Sequence, residues 1–371
     1  MRILIFALSE KEQSSRGGVS EIKEVIQMKR ALAILLSVSL LLICISFTSA
    51  ESAPVRKIII DTDTGADDAS ALILAAKSPE VEIVGVTVLA GNVDLEQGTK
   101  NALAALEMAG SDAPVFKGSD LRYDGKAITP HSVFGDDGMG DMDLVHPLGK
   151  AEEGNAIDFI IDTVKANPGE IEIVMIGPAT NIAKAIDRDP ETMRQVKHIW
   201  SMGTPGIYTP GNASPVAEFN VYLDVPAYRR LLEFDVPVTV IGLDVCEGDS
   251  LWTDANFAEL AASGETGLFV ADSFTKIREY FAMNGSAGVI DNCDGMAMMC
   301  AICPGFVRKT IQCHCSCITE PGETYGQVIF YQYGHTYDLT SGDYNYNTML
   351  VSDVNRTGFF SEYLKRVTAQ S

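Results

Sequence analysis

Apolar runs alternate with helix-like segments along the chain downstream of Val55, and this alternation predicts the fold. Short, mostly apolar runs predict strands, and the segments between them have the apolar spacing of helices. Buried strands separated by helices are typical of a parallel sheet covered on both faces. The predicted strands are Lys57–Ile60, Val81–Leu89, Ile171–Ile176, His198–Met202 and Val238–Leu243, and the predicted helices are Ala69–Ala76, Leu95–Ala109, Ala156–Lys165, Asn181–Ile186 and Pro226–Glu233.

The pattern continues without an internal repeat or a Pro/Ser-rich linker. It therefore predicts an α/β fold over residues 55–371, a single large domain with a Rossmann-like, mostly parallel central sheet. The stretch Phe116–Gly149 differs, because it is rich in Gly and Asp and has no periodicity. Two interpretations of it stay open, a long flexible loop beside a site and a plain surface insertion.

The first 50 residues differ from the domain. Residues 1–27 mix Glu, Lys, Ser and Gly, and we interpret them as an upstream extension that is not native, with Met28 as the true start. Residues 28–50 combine a basic start, an apolar run and small residues before a cut, which is the form of a secretory signal. We expect cleavage after Ala50 and an exported protein without stable membrane contact; an uncleaved membrane anchor is the alternative.

Composition and charge exclude several classes of protein. With 46% hydrophobic and 21% charged residues, the chain is not disordered, collagen-like or a coiled coil. The net charge of −22, from 28 Lys+Arg and 50 Asp+Glu, argues against sequence-independent binding to nucleic acid. Removing residues 1–50 takes away 6 basic and 4 acidic residues and leaves −24. The acidic surplus therefore belongs to the domain, as solvated surface or as ligands for a hard cation.

The cysteines have spacings that invite a zinc interpretation, Cys300-x-x-Cys303 and Cys313-x-Cys315-x-Cys317. The second spacing places all three sulfurs on one face of an extended strand. Buried free cysteines that act as small hydrophobes explain both segments better than zinc does. In an exported protein a disulfide among them stays open.

Polar residues recur where the predicted strands end, and open α/β sheets bind ligands at that edge. The first strand runs into four aspartates within eight residues, which are costly beside a buried strand unless positive charge balances them. Capping of the next helix needs only one, so we predict a cation or ligand site. The segments concerned are Asp61–Asp68, Gly91-Asn92, Gly177–Asn181, Gly211-Asn212, Glu218–Asn220 and Asp291–Gly295.

Taken in order, these motifs resemble the inosine–uridine-preferring nucleoside hydrolase family from about Val55 to the C-terminus. The resemblance implies calcium-dependent hydrolysis of the N-glycosidic bond of ribonucleosides, giving free base and ribose. It also implies a homo-oligomer, a dimer or tetramer. The implied protein ligands of the calcium ion are Asp63, Asp68, the backbone carbonyl of Ile176 and Asp294, all of them oxygen donors, as calcium prefers.

The resemblance further implies the roles of the remaining site residues. Asp63 would also take a proton from the metal-bound water. The ribose would be held by Asp67, Asn92, Asn212, Glu218 and Asn220, with Asp294 shared between sugar and metal. The chemistry is coherent, because an oxocarbenium-like sugar is stabilised by an anionic floor and calcium eases proton removal from water.

One position departs from the family pattern. Many members have a histidine directly before the last aspartate, where it helps to protonate the departing base; here the residue is Cys293. The resemblance is thus closer to a cysteine-bearing subgroup. Cys293 is either that acid or a small thiol that lines the pocket. A second family histidine matches Phe134, and other candidate proton donors are His131 and Tyr222.

Two alternative functions stay open at this point. The first alternative to the hydrolase is an exported protein that binds nucleosides or calcium without hydrolysis. The second is a haloacid-dehalogenase-type phosphatase. In the phosphatase, Asp61 would be the nucleophile of Asp61-x-Asp63-Thr64 and magnesium would be bound. We find no convincing downstream lysine motif for that alternative. The base preference is not predicted.

Overall fold

The structure is a computed structural model that describes residues 23–35, 54–130, 132–286, 288–335 and 344–369. Residues 23–35 are helical. Most of the predicted signal, and His131, lie outside the described residues, so export stays a prediction. Among the described residues, no helix is both long enough and apolar enough to cross a membrane. Val55–Ser371 forms one compact unit.

A mostly parallel sheet is the centre of this unit. In the described part of the chain it has nine strands, and a separate pair is formed by β7 and β8. The strands are β1 (Arg56–Thr62), β2 (Val81–Val88), β3 (Val115–Lys117), β4 (Ile171–Met175), β5 (His198–Met202), β6 (Val238–Ile241), β7 (Trp252–Thr253), β8 (Val289–Ile290), β9 (Val307–Cys317), β10 (Val328–Gln332) and β11 (Thr348–Val354).

The strand order is β10-β9-β11-β6-β5-β4-β1-β2-β3. Neighbouring strands are parallel except at the two pairs that include β9, which runs antiparallel to both β10 and β11. The carboxyl ends of β1, β2, β4, β5 and β6 consequently lie along one edge of the sheet. The polar segments that follow these strands meet there, as the sequence predicts.

Helices cover both faces of the sheet. Their bounds are α1 (Ala66–Ala76), α2 (Leu95–Ala109), α3 (Ala156–Ala166), α4 (Thr180–Arg188), α5 (Pro190–Met193), α6 (Phe219–Leu223), α7 (Val225–Leu232), α8 (Asp254–Ala262), α9 (Glu265–Ser273), α10 (Thr275–Met283), α11 (Cys293–Ile302) and α12 (Phe359–Val367).

Two apolar layers hold the helices onto the sheet. Successive residues of β1 point to opposite faces, so Ile58 and Ile60 belong to the layer under α1 and α11, while Ile59 belongs to the layer under α3, α4 and α7. All three side chains are buried. Burial on both faces explains why the strands are continuous apolar runs. The predicted single α/β domain is confirmed.

The structure confirms the predicted strands and helices, with shifts of a few residues at their ends. Helix α1 begins at Ala66 and not at Ala69. Asp67 and Asp68 therefore lie in its first turn, where the helix dipole favours negative charge. The cysteines among the described residues are free thiols, and Cys313, Cys315 and Cys317 share one buried face of β9 as predicted.

Candidate active site

Three aspartates meet where two helices begin. Helix α11 packs against α1, and its first turn contains Asp294, whereas the first turn of α1 contains Asp67 and Asp68. One carboxylate oxygen from each residue lies within 4.8 Å of the other two. The helix dipoles favour anions at these ends, but the backbone alone does not balance three carboxylates so close together. This group is the floor of the candidate site.

Asp63 lies beside this floor at the end of β1. Its Oδ2 accepts a hydrogen bond from the backbone N–H of Asn92 at 2.7 Å. The backbone passes so close that a Cβ on Gly91 would lie 2.0 Å from the same oxygen, so only glycine fits there. Its buried Oδ1 has no hydrogen-bond partner among the described residues. Asp63 is therefore fixed through one oxygen and free through the other.

Asp68 is the best hydrogen-bonded carboxylate of the floor. Its Oδ1 accepts from the Thr62 hydroxyl at 2.6 Å, and its Oδ2 accepts from the Gly65 N–H at 2.9 Å and from the Asn92 side-chain amide at 3.0 Å. Asn92 thus contacts Asp63 through its backbone and Asp68 through its side chain. It holds the two carboxylates at a fixed spacing.

Burial and mutual repulsion raise the pKa values of these groups. Burial, followed by the charge of Asp68, raises the pKa of Asp63 and of Asp67 well above its usual range. Burial, followed by the charges of Asp67 and Asp68, does the same for Asp294. Burial raises the pKa of Asp68 to about 6, because its hydrogen bonds offset part of the desolvation. The floor lacks positive charge and would hold a cation more readily than remain fully ionised alone.

Glu218 and Asn220 approach from the start of α6. Both oxygens of Glu218 accept backbone N–H groups of its own helix, from Asn220 at 2.8 Å and Val221 at 3.0 Å. Burial nevertheless raises the pKa of Glu218 to about 7. The Asn220 side-chain amide donates to the carbonyl oxygen of Ile176 at 2.8 Å. The structure thus brings Asn220, a predicted ribose residue, to the carbonyl predicted as a metal ligand.

Asn212 lies at the periphery of this arrangement. It is exposed, and its side-chain oxygen accepts the N–H of Phe219 at 2.8 Å. Asn212 therefore supports the start of α6, the helix that presents Glu218 and Asn220.

Tyr222, a candidate proton donor, is 40% exposed and packs edge-on against Tyr325.

The Gly- and Asp-rich loop is placed beside the aspartate motif. Phe134 lies over Gly65, where a Cβ would be 3.1 Å from its ring. The Asn101 amide bridges the carbonyls of Thr64 and Asp137, each at 2.9 Å. The loop is consequently tied to the segment between β1 and α1. Of the two interpretations of this stretch, the loop beside a site fits the structure.

The contacts of Cys293 favour the neutral, protonated form of its thiol. Its sulfur donates to Asp291 Oδ2 at 3.6 Å and is a neighbour of the Cys246 thiol. The contact with Cys246, followed by burial, raises its pKa well above the usual range. Cys293 therefore stays protonated, with its proton directed to Asp291.

Asp61 is enclosed by the sheet. Its Oδ1 accepts from the Thr87 hydroxyl at 2.6 Å and the Asn181 amide at 2.9 Å, and the residue has no exposed surface. Burial raises its pKa to about 7. A carboxylate in this environment is a poor nucleophile for a phosphate ester. The geometry therefore disfavours the phosphatase alternative.

A hard cation fits the donor set. Buried oxygens of Asp63, Asp67 and Asp294 have no hydrogen-bond partner in the described part of the chain, which is costly unless a ligand satisfies them. All the donors are oxygens, the type that Ca²⁺ and Mg²⁺ prefer. The three carboxylates that lie together are those of Asp67, Asp68 and Asp294. The family resemblance instead implies Asp63 as a ligand and gives Asp67 to the ribose. Asp63 lies close enough for both Asp67 and Asp68 to raise its pKa.

Comparison with known proteins identifies the family of this chain. The profile described as "Inosine-uridine preferring nucleoside hydrolase" matches residues 58–361. The chain belongs to this family. An uncharacterized protein of Schizosaccharomyces pombe is 45% identical over 192 residues, 51% of this chain and 61% of that protein's length. The pyrimidine-specific ribonucleoside hydrolase RihB of Escherichia coli is 35% identical to this chain. The match covers 63% of this chain and 74% of the length of RihB.

The fold of this family member also matches solved structures. A plant nucleoside hydrolase superposes with a TM-score of 0.79 at 28% identity, over 85% of this chain and 100% of the plant chain. The family resemblance and the fold expected from it are confirmed. The haloacid-dehalogenase alternative is wrong, because the family match spans the whole Asp61–Asp294 region.

Sequence reasoning did not single out two buried polar residues that follow strands of the sheet. Thr204 follows β5 and Asp244 follows β6, and both are buried. The rule that singled out Asp63 and Asn92, a polar residue after a predicted strand, also applies to Asp244. For Thr204 the only available signal was the glycines of Gly203-Thr204-Pro205-Gly206, which indicate an unusual turn.

Proposed function

We propose that this nucleoside hydrolase family member cleaves the N-glycosidic bond of ribonucleosides in a calcium-dependent reaction. The observation that carries the proposal is the floor of Asp67, Asp68 and Asp294, with unpartnered buried oxygens on Asp63, Asp67 and Asp294. Such a floor favours positive charge, and the bond breaks through a cationic, oxocarbenium-like sugar.

The residues that would hold calcium are Asp63, Asp68, Asp294 and the carbonyl of Ile176. When bound, calcium orients the attacking water and the sugar hydroxyls and lowers the pKa of that water. Mg²⁺ prefers fewer protein ligands and a stricter geometry, so the abundance of rigid oxygens favours Ca²⁺. Asp67 would then face the ribose from the same helix turn as Asp68.

Each of the chain's own site residues would have a separate role. Asp63 accepts the proton of the attacking water through its free Oδ1, since Asn92 already holds its Oδ2. Asn92, Glu218 and Asn220 hold ribose hydroxyls, and Asn212 keeps the start of α6 in place. Burial and the charge of Asp68 raise the pKa of Asp63 in the absence of a cation; a calcium ion beside it would favour the ionised carboxylate, the form that can accept a proton.

Cys293 would line the pocket as a neutral thiol. Its sulfur donates to Asp291 Oδ2 in the structure, so its proton is already engaged. Protonation of that base would then come from solvent or from another side chain. The alternative, Cys293 as the acid, predicts a large loss of rate when the thiol is removed.

Export and assembly are further proposals. Residues 28–50 have the pattern of a signal peptide, and mass spectrometry of the secreted protein should find a chain that begins at Glu51. Retention of residues 28–50 in a membrane fraction would favour the anchor. A homo-oligomer, a dimer or tetramer, would show as a multiple of the monomer mass in light scattering.

The decisive experiment is a nucleoside panel assayed with and without calcium. Purified protein is incubated with inosine, uridine, adenosine and cytidine in excess Ca²⁺ or in chelator, and free base and reducing sugar are measured. We expect base release from at least one nucleoside and its loss in chelator. Tight nucleoside binding without base release would instead indicate a binding protein and would refute the hydrolase.

A further inference from the structure

The side chain of Asn101 donates to two backbone carbonyls outside its own helix. Asn101 lies in α2 and has no exposed surface. Its side-chain oxygen accepts from Gln97 Nε2 at 2.9 Å, and its nitrogen donates to the carbonyls of Thr64 and Asp137. An amide has one oxygen and two N–H groups, so each of its polar atoms has a partner. The two carbonyls belong to different segments of the chain, and the amide joins them.

The first carbonyl belongs to the same peptide group as the N–H of Gly65. The Thr64 carbonyl accepts from Asn101 at 2.9 Å, and the Gly65 N–H donates to Asp68 Oδ2 at 2.9 Å. This peptide is trans, and in a planar trans peptide the carbonyl and the N–H point in opposite directions. A rotation of the peptide away from Asn101 would therefore also turn the N–H away from the carboxylate. Asn101 thus fixes the orientation of a donor to Asp68.

The second carbonyl belongs to the Gly- and Asp-rich loop. The loop is closed by its own hydrogen bonds: the Phe134 carbonyl accepts a backbone N–H at 2.8 Å, and the Asp137 carboxylate accepts two more. Because these bonds tie residues 134–141 to one another, holding the Asp137 carbonyl holds the whole turn. Phe134 is part of it, and its ring lies over Gly65.

We propose that Asn101 is a positioning residue: its amide fixes the Thr64–Gly65 peptide that orients the Asp68 carboxylate, and it fastens the loop of residues 134–141 to the same peptide. The inference rests on the proposed role of Asp68 as a calcium ligand. It assigns to Asn101 no direct contact with calcium or with substrate.

The test replaces the amide with an apolar side chain of similar size. Asn101→Leu removes both donors and adds no charge. We expect the Kd for Ca²⁺ to rise about 10–100-fold, the usual effect of losing a residue that orients a metal ligand. The measurement is a calorimetric titration of calcium chloride into the full chain, after chelator treatment and desalting.

Asn347→Leu is the matched control. The Asn347 side chain also donates to two backbone carbonyls, those of Phe234 and Val236, each at 2.9 Å. These carbonyls precede β6, at the edge of the sheet opposite the candidate site. Their loss of a donor should lower the melting temperature and leave the Kd for Ca²⁺ unchanged. An unchanged Kd in Asn101→Leu, or an equal rise in both variants, would overturn the proposal.

Gln97→Met decides the question if Asn101→Leu does not fold. Gln97 is half-buried on α2, and methionine has a similar length but cannot donate to the Asn101 oxygen. Without this bond the amide is less well oriented, and we expect the Kd for Ca²⁺ to rise about threefold. A Gln97→Met protein with the wild-type Kd would in that case overturn the proposal.

Hydrogen exchange tests the link in the absence of calcium. In Asn101→Leu, amide exchange should become at least about tenfold faster in peptides that cover residues 61–68 and 134–141, because both segments open more readily. In Asn347→Leu the same peptides should exchange as in wild type. Faster exchange in residues 134–141 alone would show that Asn101 holds the loop and not Asp68, and would overturn the proposal.

An Asp68→Asn variant separates failure of this inference from failure of the proposed function. If Asp68→Asn weakens calcium binding and Asn101→Leu does not, the positioning role fails and the calcium role of Asp68 stands. If Asp68→Asn leaves the Kd unchanged, the assigned role of Asp68 fails. If the wild type binds no calcium, the proposed calcium site fails, and the exchange rates alone decide the role of Asn101.

Discussion

The side-chain amide of Asn220 donates a hydrogen bond to the backbone carbonyl of Ile176 across 2.8 Å, and both residues are buried. The contact joins the start of α6 to the end of β4. A carbonyl oxygen has two lone pairs, so this hydrogen bond leaves one of them for a cation. Asn220 therefore links the proposed ribose pocket to the proposed calcium site.

Replacing Asn220 with aspartate tests this link. Asn220→Asp removes the donor and places a carboxylate oxygen against the Ile176 carbonyl, so the two oxygens repel each other. We expect KM to rise at least about tenfold, in line with about 1–3 kcal/mol for an unsatisfied buried polar group. The measurement is KM in saturating calcium. Asn155→Asp is the control, since aspartate also caps the start of α3, and an Asn220→Asp protein with the same KM as this control would refute the link.

Asp63 and Asp61 are two residues apart and should respond very differently to the same substitution. Asp63→Asn removes the proposed base, and we expect kcat to fall at least about 100-fold. Asp61→Asn leaves an amide oxygen that can still accept from Thr87, so kcat should fall less than about tenfold. Both are measured on the best substrate of the panel. The reverse ranking would place the reaction on Asp61 and contradict the proposed role of Asp63.

Much of this site could be predicted because its residues are consecutive or follow predicted strands. The segment Asp61–Asp68 joins a buried strand to a helix, so its carboxylates had to meet the edge of the sheet. Asn92 contacts both Asp63 and Asp68, and nothing local in Gly91-Asn92 indicates that double role. Such a contact depends on the register between β1 and β2, which a single sequence does not contain.

The positions of Thr204 and Asn212 were beyond sequence reasoning for a different reason. Thr204 adopts positive φ against its own preference, because contacts from β6 override local propensity. Asn212 is exposed and accepts the N–H of Phe219, a contact that nothing in Gly211-Asn212 indicates, and its role at the ribose stays a prediction. Antiparallel β9 has mostly polar or half-exposed residues in its first half, so no strand was predicted there.

Replacing Cys293 tests whether its thiol is the acid that protonates the departing base or a neutral group that lines the pocket. Because its proton is directed to Asp291, we expect Cys293→Ala to lower kcat less than about tenfold. A general acid would contribute about 10²–10⁴-fold. The measurement is kcat for a purine and a pyrimidine nucleoside, with Cys300→Ala as a buried-cysteine control that lies outside the floor. A loss of more than about 100-fold in Cys293→Ala alone would identify the thiol as the acid.

Calcium should stabilise the protein as well as activate it. The carboxylates of Asp63, Asp68 and Asp294 repel one another unless a cation balances them, and a ligand that binds only the folded state at 100 times its Kd adds about 2.7 kcal/mol. We expect the melting temperature to fall in chelator and to recover with Ca²⁺. Asp68→Asn should abolish most of this response, and Asp224→Asn should retain it. A wild-type melting curve that is indifferent to both chelator and calcium would contradict the site.

Glu218 should make the stability of the calcium-free protein depend on pH. Burial raises its pKa from 4.5 to about 7 in the folded state. Between these values the folded state binds a proton that the unfolded state has released. The stabilisation is therefore fully present below about pH 4.5 and is lost as the pH rises through 7. At 1.36 kcal/mol per pKa unit, the loss is on the order of 3 kcal/mol.

Urea unfolding in chelator at pH 5 and pH 8 measures this dependence. Glu218→Gln cannot ionise, so it should lose less stability than wild type between the two pH values. Glu153→Gln, which removes an exposed carboxylate, should keep the wild-type slope. Other buried carboxylates, Asp61 among them, titrate in the same window and remain in all three proteins, so only the difference between variants is attributed to Glu218. Equal slopes in wild type and Glu218→Gln would mean that Glu218 is ionised throughout and that its burial is compensated by the N–H groups of Asn220 and Val221.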